Sequence, residues 1–109
     1  MTVQYYVVFC TCPNNEVAKD LAKKVVLAKL AACVNIVPGL TSIYTFENKI
    51  ETSSESLLII KTTEAIYSKL ETMLVENHPY QCPEVIGLPI ELGSKGYLQW
   101  LKNSVLPVS

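Results

Sequence analysis

A chain of 109 residues matches one domain, and with half its residues hydrophobic and 17% charged it is neither disordered nor fibrous. Nine lysines against ten acidic residues give a net charge of −1, so the overall field offers a polyanion no attraction and nucleic acid is not an expected partner. There is no arginine, which removes the planar fork that grips phosphate or carboxylate at two points.

The first lysine is Lys19 and the early apolar run from Tyr5 to Cys10 is short, which is not the pattern of a secretory signal. No apolar stretch approaches the roughly 20 residues that cross a bilayer. The expectation is a soluble, cytoplasmic protein with no membrane partner. Its four cysteines, Cys10, Cys12, Cys33 and Cys82, are then read as free thiols. The Cys10-Thr11-Cys12 spacing is neither a thioredoxin-like CxxC nor half of a zinc-finger pair, so by itself it is a weak metal signal.

Tyr5 to Cys10 is rich in β-branched and aromatic residues and predicts a first strand, closed by a turn at Pro13-Asn14-Asn15. Asn14 can cap a helix with Glu16 in its first turn. Val17, Leu21, Val25 and Ala28 recur at helical spacing, with Ala18 and Ala22 beside them, predicting helix one to about Leu30. Cys33 to Val37 resumes a strand pattern, Pro38-Gly39 bends it and Thr41 to Phe46 continues it, giving a kinked second strand. Glu47-Asn48-Lys49 reads as a hairpin turn into a third strand, Ile50 to Thr62, strongest over Leu57 to Lys61 and solvent-exposed over Glu51 to Glu55.

Thr63 and Glu64 open a second helix whose apolar face is Ile66, Leu70, Met73 and Leu74 and which must stop before Pro79. A loop, His78 to Glu84, is stiffened by Pro79 and Pro83. The fourth strand, Val85 to Glu91, carries Pro89 and so suits a sheet edge. A short helix, Tyr97 to Ser104, ends the pattern. The order βαββαβ plus a terminal helix predicts an α+β, ferredoxin-like single domain over 1–109, with both main helices on one face of an antiparallel sheet. Right-handed crossovers put strands one and three in the centre and strand four antiparallel beside strand one.

Blocks along nearly the whole chain resemble the CutA divalent-cation-tolerance family. They are Thr11-Cys12-Pro13, Leu30-Ala31-Ala32-Cys33-Val34-Asn35, Ser42-Ile43-Tyr44 with Phe46-Glu47, Leu58-Ile59-Ile60-Lys61-Thr62, His78-Pro79-Tyr80 with Pro83-Glu84, and Tyr97-Leu98 with Trp100. The family usually has Trp in place of Phe46, Gly in place of Asn48, a small residue in place of Cys12 and a residue other than cysteine at position 82. The resemblance implies a homotrimer, a part in the response to divalent metal ions, copper binding in some members and no established reaction. The chain is therefore read as a binding protein and not an enzyme. The trimeric architecture is also similar to PII-type signalling proteins, which keeps open a sensor or scaffold that binds a small ligand or partner protein in its inter-subunit clefts.

In the predicted topology strand one ends where strand four begins, so Cys10 approaches Glu84, while helix two brings His78 and the loop brings Cys82 to the same end. A thiolate, an imidazole and a carboxylate suit copper or zinc. The resemblance also implies Cys10, His78 and Glu84 as metal positions, with copper the expected metal and other divalent ions open. Each residue has a plain structural alternative: Cys10 as a small buried hydrophobe, His78 as a helix cap, Glu84 as an acceptor for a nearby amide. Cys33 is expected to be packed in the interior. Lys61 is left either as a buried cation or pointing outward. Tyr44, Phe46, Tyr97 and Trp100 are expected to fill a core or a subunit contact.

Three other uses of such a domain fail on the residues. An acylphosphatase-like enzyme needs an arginine, a copper-chaperone domain needs an MxCxxC loop, and an RNA-recognition motif needs basic and aromatic central strands. A hydrolase or transferase using Cys10 with His78 stays open on composition alone.

Overall fold

The computed structural model describes residues 2–107. Its elements run β1 (Tyr5–Cys12), α1 (Asn15–Leu27), β2 (Cys33–Phe46), β3 (Lys49–Thr63), α2 (Glu64–Asn77), β4 (Val85–Ile90) and α3 (Lys95–Ser104). The four strands form one antiparallel sheet in the order β2-β3-β1-β4, which puts β1 and β3 in the centre and Pro89 on an edge strand, as the crossover rule predicts.

Alternation along β1 sends Val8, Cys10 and Cys12 to one face, where they meet Leu58 and Ile60 of β3. Ala18, Leu21 and Val25 of α1 and Ile66, Leu70 and Leu74 of α2 close over that face to form the core. Each large aliphatic side chain buried there contributes about 1.5–3 kcal/mol. Asn14 Oδ1 caps α1 by accepting from the Val17 N–H at 2.9 Å, as its position predicts. The helix ends at Leu27, short of Leu30, because Lys29 turns left-handed at φ 58°. Leu30 and Ala31 remain buried beyond that turn, so the apolar pattern outlasts the helical backbone.

The bend in β2 falls where Pro38-Gly39 places it, as a register shift between Val37 and Leu40 with Gly39 at φ 71°. The β2–β3 turn holds Glu47 and Asn48 at φ 51° and 65°, the two-residue left-handed conformation that Asn tolerates well. The run expected to be exposed on β3 is so at Glu51, Thr52 and Ser54, but Glu55 is buried. Cys33, expected inside, is half-buried: Val34 and Ile36 take the core-facing positions of β2 and leave Cys33 opposite Lys61. The half-buried Lys61 ammonium donates to Asn35 Oδ1 and lies 4.0 Å from Cys33 Sγ. Tyr44, Phe46, Tyr97 and Trp100, expected in a packed setting, are all exposed in the single chain.

One buried polar contact ties the sheet to the end of α1. The Thr62 hydroxyl, fully buried, donates to the Leu30 carbonyl at 2.8 Å. Thr62→Val keeps the shape but strands that carbonyl, and urea unfolding should show a loss of about 1–3 kcal/mol with an unchanged slope. An unchanged midpoint would show that the carbonyl finds another partner.

Candidate metal centre

β1 and β4 pair only as far as Cys10 with Val85, whereas β1 continues beside β3 to Cys12 with Ser56. Past Cys10 the β4 side of β1 has no strand partner, and the end of α2 delivers His78 to that gap. His78 Nε2 lies 2.8 Å from the Thr11 carbonyl, and the Tyr80 backbone N–H donates to Nδ1 at 3.1 Å. A carbonyl only accepts and an amide only donates, so the ring is the neutral tautomer protonated on Nε2. Both ring nitrogens are engaged, and either can turn to a metal only by giving up one of these bonds.

The ligand atoms of Cys10, Cys12 and His78 all lie within 4.8 Å of one another, and all three residues are buried. A single ion with bonds of about 2.0–2.3 Å can bridge donors up to roughly 4.6 Å apart, so a small closure brings this set onto one ion. Two sulfurs and an imidazole nitrogen suit soft and borderline metals, copper and zinc among them, and do not suit magnesium or calcium. The residues fit the metal the resemblance implies.

The hydrogen bond from Cys10 to Cys12 is the main cause that pushes the Cys10 thiol far up, followed by burial and then by the charges of Cys12, Glu84 and Glu55. The same hydrogen bond lowers Cys12, against burial and Glu55. The two thiols are coupled, because two thiolates side by side in a buried site repel. A cation between them removes that repulsion.

Of the three residues expected in the site, Cys10 and His78 come together. Glu84 is exposed and lies outside the compact donor group, although its charge reaches Cys10. Cys82 is exposed and also outside the group. Cys12 is the addition, and its signal was the period of two: residues two apart on a strand share a face, so a buried Cys10 carries Cys12 with it. Glu55 and Tyr80 complete the surroundings. The Tyr80 hydroxyl donates to Glu55 Oε2 at 2.7 Å, and the Tyr80 and His78 rings meet at a tilt of 48° with their centroids 4.7 Å apart.

The sequence profile described as CutA1 divalent ion tolerance protein matches residues 6–104. The chain belongs to the CutA1 family. Within it, the chain is 53% identical over 103 residues to the chloroplastic CutA protein of Arabidopsis thaliana, covering 94% of this chain and 57% of that one. It is 47% identical to the divalent-cation tolerance protein CutA of Thermus thermophilus, covering 90% of this chain and 95% of that one. The crystal structure of CutA1 from Oryza sativa superposes with a TM-score of 0.95 at 50% identity, covering 98% of each chain. The chain thus spans little more than half the length of the plant relatives it matches in sequence. No helix of the described residues is long and apolar enough to cross a membrane.

Burial, and then the hydrogen bond and charge of Glu55, raise the Tyr80 phenol well above the ordinary tyrosine value. The folded protein keeps this proton while the unfolded chain loses it near pH 10. The associated stability is therefore complete below about pH 10 and falls as pH rises above it. Tyr67 and Tyr97 are raised as well and act in the same direction. In Tyr80→Phe the alkaline decline in melting temperature should become shallower without vanishing, and a slope equal to wild type would count against the Tyr80 contact with Glu55.

Proposed function

We propose that this CutA1-family chain binds copper and takes part in the response to metal ions as a homotrimer of ferredoxin-like domains. Cys10 and His78 supply inner donors, and Glu84 supplies a carboxylate at the rim. The role is binding and not catalysis, exercised in the cytoplasm without nucleic acid. The observation that carries the metal reading is the convergence of the buried Cys10, Cys12 and His78 donors within 4.8 Å. The divalent-cation tolerance in the names of the Thermus and Escherichia coli relatives supports the same direction.

The trimer is supported by surfaces the single chain leaves bare. Residues Lys49–Glu55 of β3 pair with β2 but lie beyond the reach of β1, so the β2–β3 hairpin projects as an arm of a chain that is 47 × 25 × 22 Å in extent overall. Ile43 and Ile50 on this arm are 70% and 73% exposed, and Ile86 and Leu88 expose apolar side chains on the β4 edge. Pairing between copies would cover both edges. A second reading, a PII-like sensor or scaffold with ligand clefts between subunits, draws on the exposed Tyr97–Trp100 ring pair at 5.6 Å.

Copper titration against a competing chelator tests the metal reading. His78→Ala and Cys10→Ser should each weaken binding by about tenfold or more, with melting curves of the metal-free variants to separate binding from folding. Equal affinity in wild type and both variants would place the site elsewhere. Sedimentation equilibrium at micromolar concentration should give three times the 12.1 kDa chain mass, and a single-chain mass would remove the trimer.

A further inference from the structure

We propose that Cys12 is the third inner donor and that the ion this site takes is monovalent copper, held by two thiolates and one imidazole. This rests on the metal-binding reading above and specifies its ion.

Donor number decides between metals. Among the described residues the compact group contains Cys10, Cys12 and His78 and no carboxylate. Glu84 is exposed, and the buried Glu55 spends Oε2 on the Tyr80 hydroxyl at 2.7 Å. Structural zinc sites take four ligands, and magnesium and calcium take six or more oxygens. Monovalent copper accepts low coordination and prefers sulfur. A three-donor set with two sulfurs, no oxygen and both cysteines fully buried matches that preference.

The second line of argument comes from strand geometry. Cys10 and Cys12 lie on the core face of β1, held between Val8 and the β3 residues Leu58 and Ser56, so their sulfurs are fixed relative to one another before any ion arrives. Preorganised donors lose little freedom on binding. His78 is the adjustable member. Its Nε2 proton goes to Thr11 and its one lone pair, on Nδ1, goes to the Tyr80 amide, so loading competes with that amide and shifts the loop that carries Tyr80. The ion enters already as Cu(I); the thiols release protons, and no electron changes hands.

The test is an anaerobic titration of the full chain with Cu(I) held by bathocuproine disulfonate. Wild type should withdraw one equivalent. Cys12→Ala and Cys12→Ser should lose ~10-fold or more in affinity, and Cys82→Ser, which removes an exposed thiol outside the donor group, should stay within about twofold of wild type. X-ray absorption of Cu(I)-loaded wild type should report two sulfurs and one nitrogen, which tests the donor set even if a Cys12 variant folds poorly. Wild-type affinity in both Cys12 variants, with loss in Cys10→Ser and His78→Ala, would overturn the second thiol and leave the metal reading standing. Tighter binding of Cu(II) or Zn(II) than Cu(I), with one sulfur and oxygen donors in the spectrum, would overturn the choice of ion. Failure of wild type to bind any of the three metals would remove the metal reading itself.

Discussion

The centre depends on a mismatch in strand length. β1 has a hydrogen-bonding neighbour on both sides up to Cys10 and on only one side at Thr11 and Cys12. A backbone carbonyl at such an overhang needs a partner, and the His78 ring supplies it for Thr11. That contact fixes the ring, the ring accepts the Tyr80 amide, and Tyr80 reaches across to Glu55. Each hydrogen bond adds only about 1 kcal/mol net, but breaking one inside the cluster leaves a buried group unpaired, which costs more. The connected set therefore holds the His78–Glu84 loop against the sheet more firmly than any one bond would.

Much of this architecture was legible because two periodicities carried it. The alternation of β1 and the helical spacing of α1 and α2 located the core, and the order of elements placed Cys10 and His78 at one end of the sheet. The sequence pattern misled where burial and backbone part company. Leu30 and Ala31 stay inside after α1 has turned away, and Glu55 is polar yet buried. Nothing local marks Glu55, since the hydroxyl that accounts for it comes from Tyr80, 25 positions along the chain. Cys33 departs from its sequence pattern for a related reason: small and apolar neighbours suggest an interior position, but its place on the pleat sets it beside Lys61.

The differences from the usual family pattern fall at positions with distinct physical roles. Asn48, where the family usually has glycine, sits at φ 65° in the hairpin turn, and Asn is among the side chains that accept this conformation most readily. Phe46, in place of tryptophan, is exposed near the end of the arm. Cys12, in place of a small residue, adds a second sulfur without disturbing the core because its volume is modest and its face of β1 is already buried. Cys82, the fourth difference, is exposed and outside the donor group, so of the four only Cys12 changes the chemistry available at the centre.

Glu55 occupies a mechanically distinct point on β3. Ser56, the next residue, is the first that β1 covers, so Glu55 stands where the free arm becomes part of the body. A projecting two-stranded ribbon bends most easily at such a root. Because Tyr80 is hydrogen-bonded to that very residue, a swing of the arm tugs on the loop beside the thiols, as a lever acts through its fulcrum. Whatever clamps the far end of the ribbon thereby also sets how freely the loop over the thiols can move.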